Sequence, residues 1–186
     1  MSDLASSARP LAWDAGAKTL HWTMALLIPL AWAIAVAREA LPEASRSSAM
    51  FFHKSVGVAV FALLVLRIVW RLTHAAPETE KTPFEPWAGL AAKAGHGLLY
   101  LLMIVVPVGG TMASFANGRS LPFFGLFEIA SPWATKQPFA HTIGEMHETM
   151  GHLLLLVAFA HAVVGIRHHV VLKDRTLIKM RPFAGG

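Results

Sequence analysis

The sequence predicts an all-α membrane protein, a four-transmembrane-helix bundle with both termini on one side. Three observations carry that reading. The 186 residues are 55% hydrophobic, with a mean hydropathy of +0.52. Four apolar stretches are each long enough to cross a bilayer, where a soluble domain of this size would show only apolar stripes. The last stretch has no Asp, Glu, Lys or Arg from Thr149 to Ile166, yet it carries His152 and His161, with His147 just ahead of it. An imidazole inside hydrocarbon is costly without a partner, so it marks a functional site.

The expected spans are 19–38, 50–72, 87–116 and 146–171, within a single domain over 1–186. The first opens with His21 and Trp22. Its Ala35-Val36-Ala37 resembles a signal-peptide cleavage site, but the leader is weakly basic and the apolar run crosses the whole bilayer. Arg38 to Ser48 reads as a short polar connection. The second span opens with His53 and Lys54 and closes with Arg67 and Arg71. A proline-rich loop leads to the third, which carries His96, Pro107 and the pair Gly109-Gly110, all tolerated in membrane helices and able to kink them. Asn117 to Gly144 reads as a second long loop, rich in Pro, Phe and Trp, of the kind found at a membrane interface.

Composition removes several functions. No Cys is present, which excludes disulfides, iron–sulfur ligation and thioether attachment of haem. The net charge of +5 comes from basic residues flanking apolar spans, as membrane topology demands, and no nucleic-acid motif accompanies it. The run His147-Glu148-Thr149-Met150-Gly151-His152 is one residue too long for HExxH. A spacing of five turns the second imidazole by roughly 140° from the first, so the pair cannot share a zinc ion.

Basic residues set the orientation. Eleven, among them Arg9, Arg67, Arg71, Lys81 and Arg167, fall on the side of the termini and five, including Arg38, Lys54 and Arg119, on the other. That places both termini in the cytoplasm. His21 then lies near the inner face and His53 near the outer one. His147 begins the fourth span at the outer face. His161, fourteen residues later, points within roughly 40° of it and lies about 21 Å deeper. Two level pairs result: His21 with His161 inside, His53 with His147 outside.

A four-helix bundle that projects such pairs inward can hold cofactors in its core. Haem iron takes two axial imidazoles, and the porphyrin suits an apolar interior, so two haems b are expected. Gly57, Gly151 and Gly165 each follow a ligand candidate by four residues, where a missing side chain would admit a flat macrocycle; contact between helices is the alternative. Arg67 lies level with the inner pair and could hold a propionate, with Arg71 one turn further on either sharing that role or snorkelling to water. His96 is the rival to His21 as a ligand, or a hydrogen-bond donor to a propionate or quinone. His152 lies off the shared face, while His74, His168 and His169 fall at the inner interface and His141 in the outer loop.

These motifs resemble the bacterial cytochrome b561 family over nearly the whole chain. The resemblance rests on Leu20-His21-Trp22, His53 with Gly57, Arg67-x3-Arg71, the run from Gly95-His96-Gly97 to Tyr100-Leu101-Leu102, His147-Glu148-Thr149, His161-Ala162, His168-His169, and Lys173-Asp174-x-Thr176-Leu177. It implies a di-haem b protein of the inner membrane with axial ligands at His21, His53, His147 and His161. It also implies electron transfer between ubiquinone and an outer-face donor, which is superoxide in members resembling superoxide oxidases, or a redox partner protein. Lys54, Arg46, Arg119, Lys136 and His141 are placed to guide such an anion. A relay subunit of a larger, hydrogenase-type complex and a proton-relaying transporter are the other classes. Arg67, Arg71, His74 and His96 are the expected quinone neighbourhood.

Overall fold

The structure, a computed structural model, describes residues 10–80 and 86–181; Arg9 and Lys81, counted above among the basic flanks, lie outside the described residues. Four helices dominate it: α1 (Ala15–Ala37), α2 (Glu43–Thr73), α3 (Trp87–Ala116) and α4 (Ala140–Val170). Asp14 caps α1, its carboxylate accepting the Ala17 N–H at 2.9 Å. All four are long and apolar enough to span a membrane. α1 packs chiefly on α2, and α3 on α4.

Two connections are more ordered than the apolar pattern suggests. After a 3-10 turn at Arg38–Ala40, α2 begins at Glu43, seven residues before the expected span. Its first turns carry Glu43, Arg46, Ser47 and Ser48, so they fail a test for apolarity while still winding as helix. α4 likewise starts at Ala140 rather than 146, with His141 and Glu145 paired one turn apart at 3.2 Å. The long loop contains a hairpin, β1 (Leu121–Phe123) against β2 (Phe127–Ile129), antiparallel with Leu121 opposite Ile129. Phe124 and Gly125, at the turn, have φ of 48° and 77°. That is the left-handed geometry of a tight hairpin turn, which Asn-Gly would have announced and Phe-Gly conceals. α3 runs unbroken through Pro107 and Gly109-Gly110.

The buried core is small. Met24 of α1, Val56, Val60 and Leu64 of α2, Leu102 and Met103 of α3 and Leu154 of α4 form it. Much larger apolar side chains face outward instead, including Leu26 at 72% and Phe159 at 68% exposure. In water such a surface would drive association; in lipid it is the solvated face. This is a multi-pass membrane protein.

Each end of the bundle is tied. At the hairpin end Ser55 is fully buried. Its hydroxyl is shared between the Phe51 and Pro122 carbonyls, at 2.9 and 3.2 Å, and accepts the Phe124 N–H at 3.0 Å, fastening the hairpin to α2. Lys54 Nζ adds bonds to Ser114 Oγ at 2.8 Å and the Ser120 carbonyl at 3.2 Å. At the opposite, terminal end the C-terminal segment folds back. Trp22 Nε1 donates to the Met180 carbonyl at 2.7 Å, the Trp13 N–H to the Lys179 carbonyl at 3.2 Å, and Lys179 pairs with Glu80.

Candidate functional site

Polar groups inside a membrane bundle need partners, and the imidazoles supply them in two separate clusters. Near the hairpin end His53 of α2 faces His147 of α4, ring centres 6.1 Å apart and planes crossed at 73°. Near the terminal end His21 of α1 faces His161 of α4 at 6.3 Å and 75°. α4 thus contributes one imidazole to each cluster, as its fourteen-residue spacing foretells.

The hydrogen bonds decide which ring nitrogen is free. His53 Nδ1 lies 2.8 Å from the Ala31 carbonyl, and His147 Nδ1 lies 2.9 Å from the Val106 carbonyl. A carbonyl oxygen only accepts, so each Nδ1 carries the proton and each Nε2 keeps its lone pair. Such a bond also fixes the ring's orientation and makes it a better ligand. Each accepting carbonyl lies within two residues of its helix's internal proline, Pro29 or Pro107.

His147 depends on a residue that the sequence marked only as a possible kink. A Cβ on Gly110 would sit 2.8 Å from His147 Cε1 and 3.1 Å from its Nδ1. Gly110 therefore makes room for the ring, and the only signal for it was its position beside Gly109 in a charge-free span. Gly57, Gly151 and Gly165 behave differently. A Cβ on any of them would meet no atom within 4 Å, so none sits at a close contact between helices; Gly95 and Gly97 share that property.

The terminal-end cluster has more members. Arg67 donates to His21 Nδ1 at 3.1 Å and to Tyr100 Oη at 3.2 Å. No carboxylate pairs with it among the described residues. His96 also approaches His161, ring centres 5.2 Å apart, and its Nδ1 is taken by the Ala92 carbonyl at 2.8 Å. Arg71 and His74 do not join this group: Arg71 lies over the Trp13 ring at 5.2 Å, and His74 stacks on Trp70 at 4.1 Å. The four residues expected to line one quinone neighbourhood are thus split between the interior and the terminal cap.

His168 is not simply solvated. Its Nδ1 pairs with Asp174 Oδ2, and the Thr176 N–H donates to Asp174 Oδ1 at 2.8 Å. Burial alone would push the Asp174 carboxyl up, but bonds from Thr176 and the His168 ring outweigh it and hold the group below its usual 3.8. His141 pairs with Glu145 at the opposite end, well exposed, and His152 stands edge-on to Trp32.

A metal bound between two imidazoles sets a distance that these pairs can be tested against. An imidazole nitrogen lies ~1.1 Å from its ring centre and binds a first-row metal at about 2.0–2.1 Å, so rings facing across one ion stand roughly 6.3 Å apart. The His53–His147 and His21–His161 separations of 6.1 and 6.3 Å fit; the His96–His161 separation of 5.2 Å is too short. Groups of three or more metal-ligating side chains are absent among the described residues.

Comparison with known proteins shows the family. The family profile described as prokaryotic cytochrome b561 matches residues 12–183. A protein of Yersinia pestis named as a probable superoxide oxidase, CybB, is 32% identical over 90% of this chain and 94% of its own. Cytochrome b561 homolog 2 of Escherichia coli is 28% identical over 86% of each chain. Cytochrome b562 of Cereibacter sphaeroides is 31% identical over 87% of this chain and 90% of its own. With four spanning helices, paired imidazoles and a family match over nearly its full length, the chain belongs to the prokaryotic cytochrome b561 family, membrane electron-transfer proteins of bacteria with haem b as cofactor.

Proposed function

We propose that the chain, acting as one unit, holds two haems b and passes electrons across the bacterial inner membrane between an outer-face donor and the quinone pool. The observation that carries this is the pair of imidazole clusters at opposite ends of the bundle, each with the separation that one shared metal ion requires. His53 and His147 would bind the haem at the hairpin end, and His21 and His161 the haem at the terminal end. When bound, the haems supply one-electron chemistry at two depths.

The protein's own residues do the rest. Ala31 and Val106 hold the His53 and His147 protons on Nδ1, so Nε2 of each would be free to bind the metal. At the other pair Arg67 donates to His21 Nδ1, which in a neutral ring leaves the proton on Nε2. Ligation through Nε2 therefore needs Arg67 to turn away and Nδ1 to take up the proton. A propionate is the anion that would draw it, a buried guanidinium being suited to bidentate carboxylate binding. Tyr100 would then be a second donor beside it. Gly57, Gly151 and Gly165 would border the macrocycles, while Arg71 would anchor the cap through Trp13 rather than touch a haem.

The balance of basic groups supports an orientation with the hairpin end outside the cell. Lys54, Arg38, Arg46 and Arg119 lie toward it, a positive rim that would attract a small anion such as superoxide. Ubiquinone is the proposed acceptor. The likeness to a probable superoxide oxidase supports this direction of flow.

Purified protein in liposomes, supplied with superoxide and a ubiquinone analogue, tests the reading. Quinol should form without any added protein, and the rate should fall as salt rises. Haem-replete protein that forms no quinol alone would point to the relay role in a larger complex.

A further inference from the structure

Trp32 and His152 are the polar pair that the proposed electron path leaves unused. They sit on α1 and α4 at the loosest seam of the bundle, with ring centres 6.0 Å apart and planes crossed at 87°. His152 is exposed, although it lies within the spanning segment. It is five residues past His147 and nine before His161, so it points roughly 140° and 180° away from the two, outward from the interior. Along α4 it lies ~18 Å from the helix start and ~27 Å from its end. That is well inside a hydrocarbon layer about 30 Å thick, beyond the reach of lipid ester groups.

Two hydrogen-bonding atoms are open there. Trp32 Nε1 is buried and has no partner, a cost of about 1–3 kcal/mol for a donor sealed from water. His152 Nδ1 is held 3.0 Å from the Glu148 carbonyl, which leaves Nε2 as an acceptor. An unpaired donor buried at the seam thus stands beside an acceptor on the exposed His152, where water and ester carbonyls are absent. A molecule that meets both must dissolve in hydrocarbon, carry a polar oxygen and be thin enough to enter the seam as far as the indole N–H, which a flat apolar ring is.

We infer that Trp32 and His152 form a lateral binding site for the head of a membrane quinone, at the α1–α4 seam and separate from the terminal-end cluster. This rests on the proposed exchange with the quinone pool. The Trp32 N–H donates to a ring carbonyl of the oxidised form. His152 Nε2 accepts the hydroxyl proton of the reduced form, so both states are held. The ring lies edge-on against the indole.

Equilibrium binding of decylubiquinone to haem-quantified protein in quinone-free nanodiscs tests the inference, comparing wild type with Trp32→Phe and His152→Leu. Each variant should weaken one binding equivalent about tenfold, with the haem spectrum unchanged. Wild-type binding in both variants overturns the site, as does a wild type that binds no decylubiquinone. Unchanged binding with a shifted haem potential in Trp32→Phe also overturns it, by putting the indole N–H on a propionate. Because binding and haem content are read on the same sample, haem-free wild type whose binding still depends on Trp32 refutes the electron-transfer reading and leaves this one standing.

Discussion

A glycine one turn past a proline shows how narrowly the hairpin-end site is built. Gly110 faces the His147 ring so closely that any Cβ would overlap Cε1. The Gly110→Ala variant should therefore push the imidazole off its bond to Val106, at an overpacking cost of about 1–3 kcal/mol. The expected result is selective loss of low-spin haem at one of the two sites, read by electron paramagnetic resonance, with the helical content intact. An unchanged spectrum would mean that the ring has room the structure denies it. The four paired histidines were legible in the sequence because depth and helical phase are simple arithmetic on α4. Gly110 was not, since its role depends on how α3 leans on α4. Arg67 was legible by depth alone, but its grip on His21 Nδ1 was not, because that contact joins α1 to α2 through side-chain direction.

Among the elements, α4 contributes an imidazole to each pair, and the closing segment ties down the terminal end. The segment after Val170 docks through His168, Asp174 and Thr176 and reaches Trp22, the neighbour of His21. Because the folded Asp174 carboxyl titrates below its usual 3.8, its stabilising contribution is complete above that value and is lost as pH falls through the lowered one. Protection of the Thr176 amide from hydrogen exchange should accordingly hold from neutral pH to about 4 and then fall. In Asp174→Asn it should be low throughout; a flat profile in wild type would detach the segment from this carboxylate. The sequence placed these residues at the inner interface but not in contact, since a turn of irregular backbone has no period to read. The hairpin was missed for the same reason, together with its Phe-Gly turn. The early starts of α2 and α4 were hidden by charge.

Across the whole molecule, the number of spans and the placing of both ends together follow from apolar length, which lipid enforces more strictly than water does. What apolar length cannot give is how the helices pack. α1 lies chiefly on α2 and α3 on α4, which brings the Ala31 carbonyl to His53 and the Val106 carbonyl to His147, while the imidazole pairs themselves reach to α4 from α2 and from α1. The account stands on those two pairs each holding a haem. Haem per chain, measured by the pyridine method on detergent-purified protein, tests this most directly when wild type is set beside His147→Ala and His161→Ala. Two haems b in wild type and one in each variant are predicted, with a different haem lost in each. One haem in wild type, or both variants losing the same haem, would contradict it.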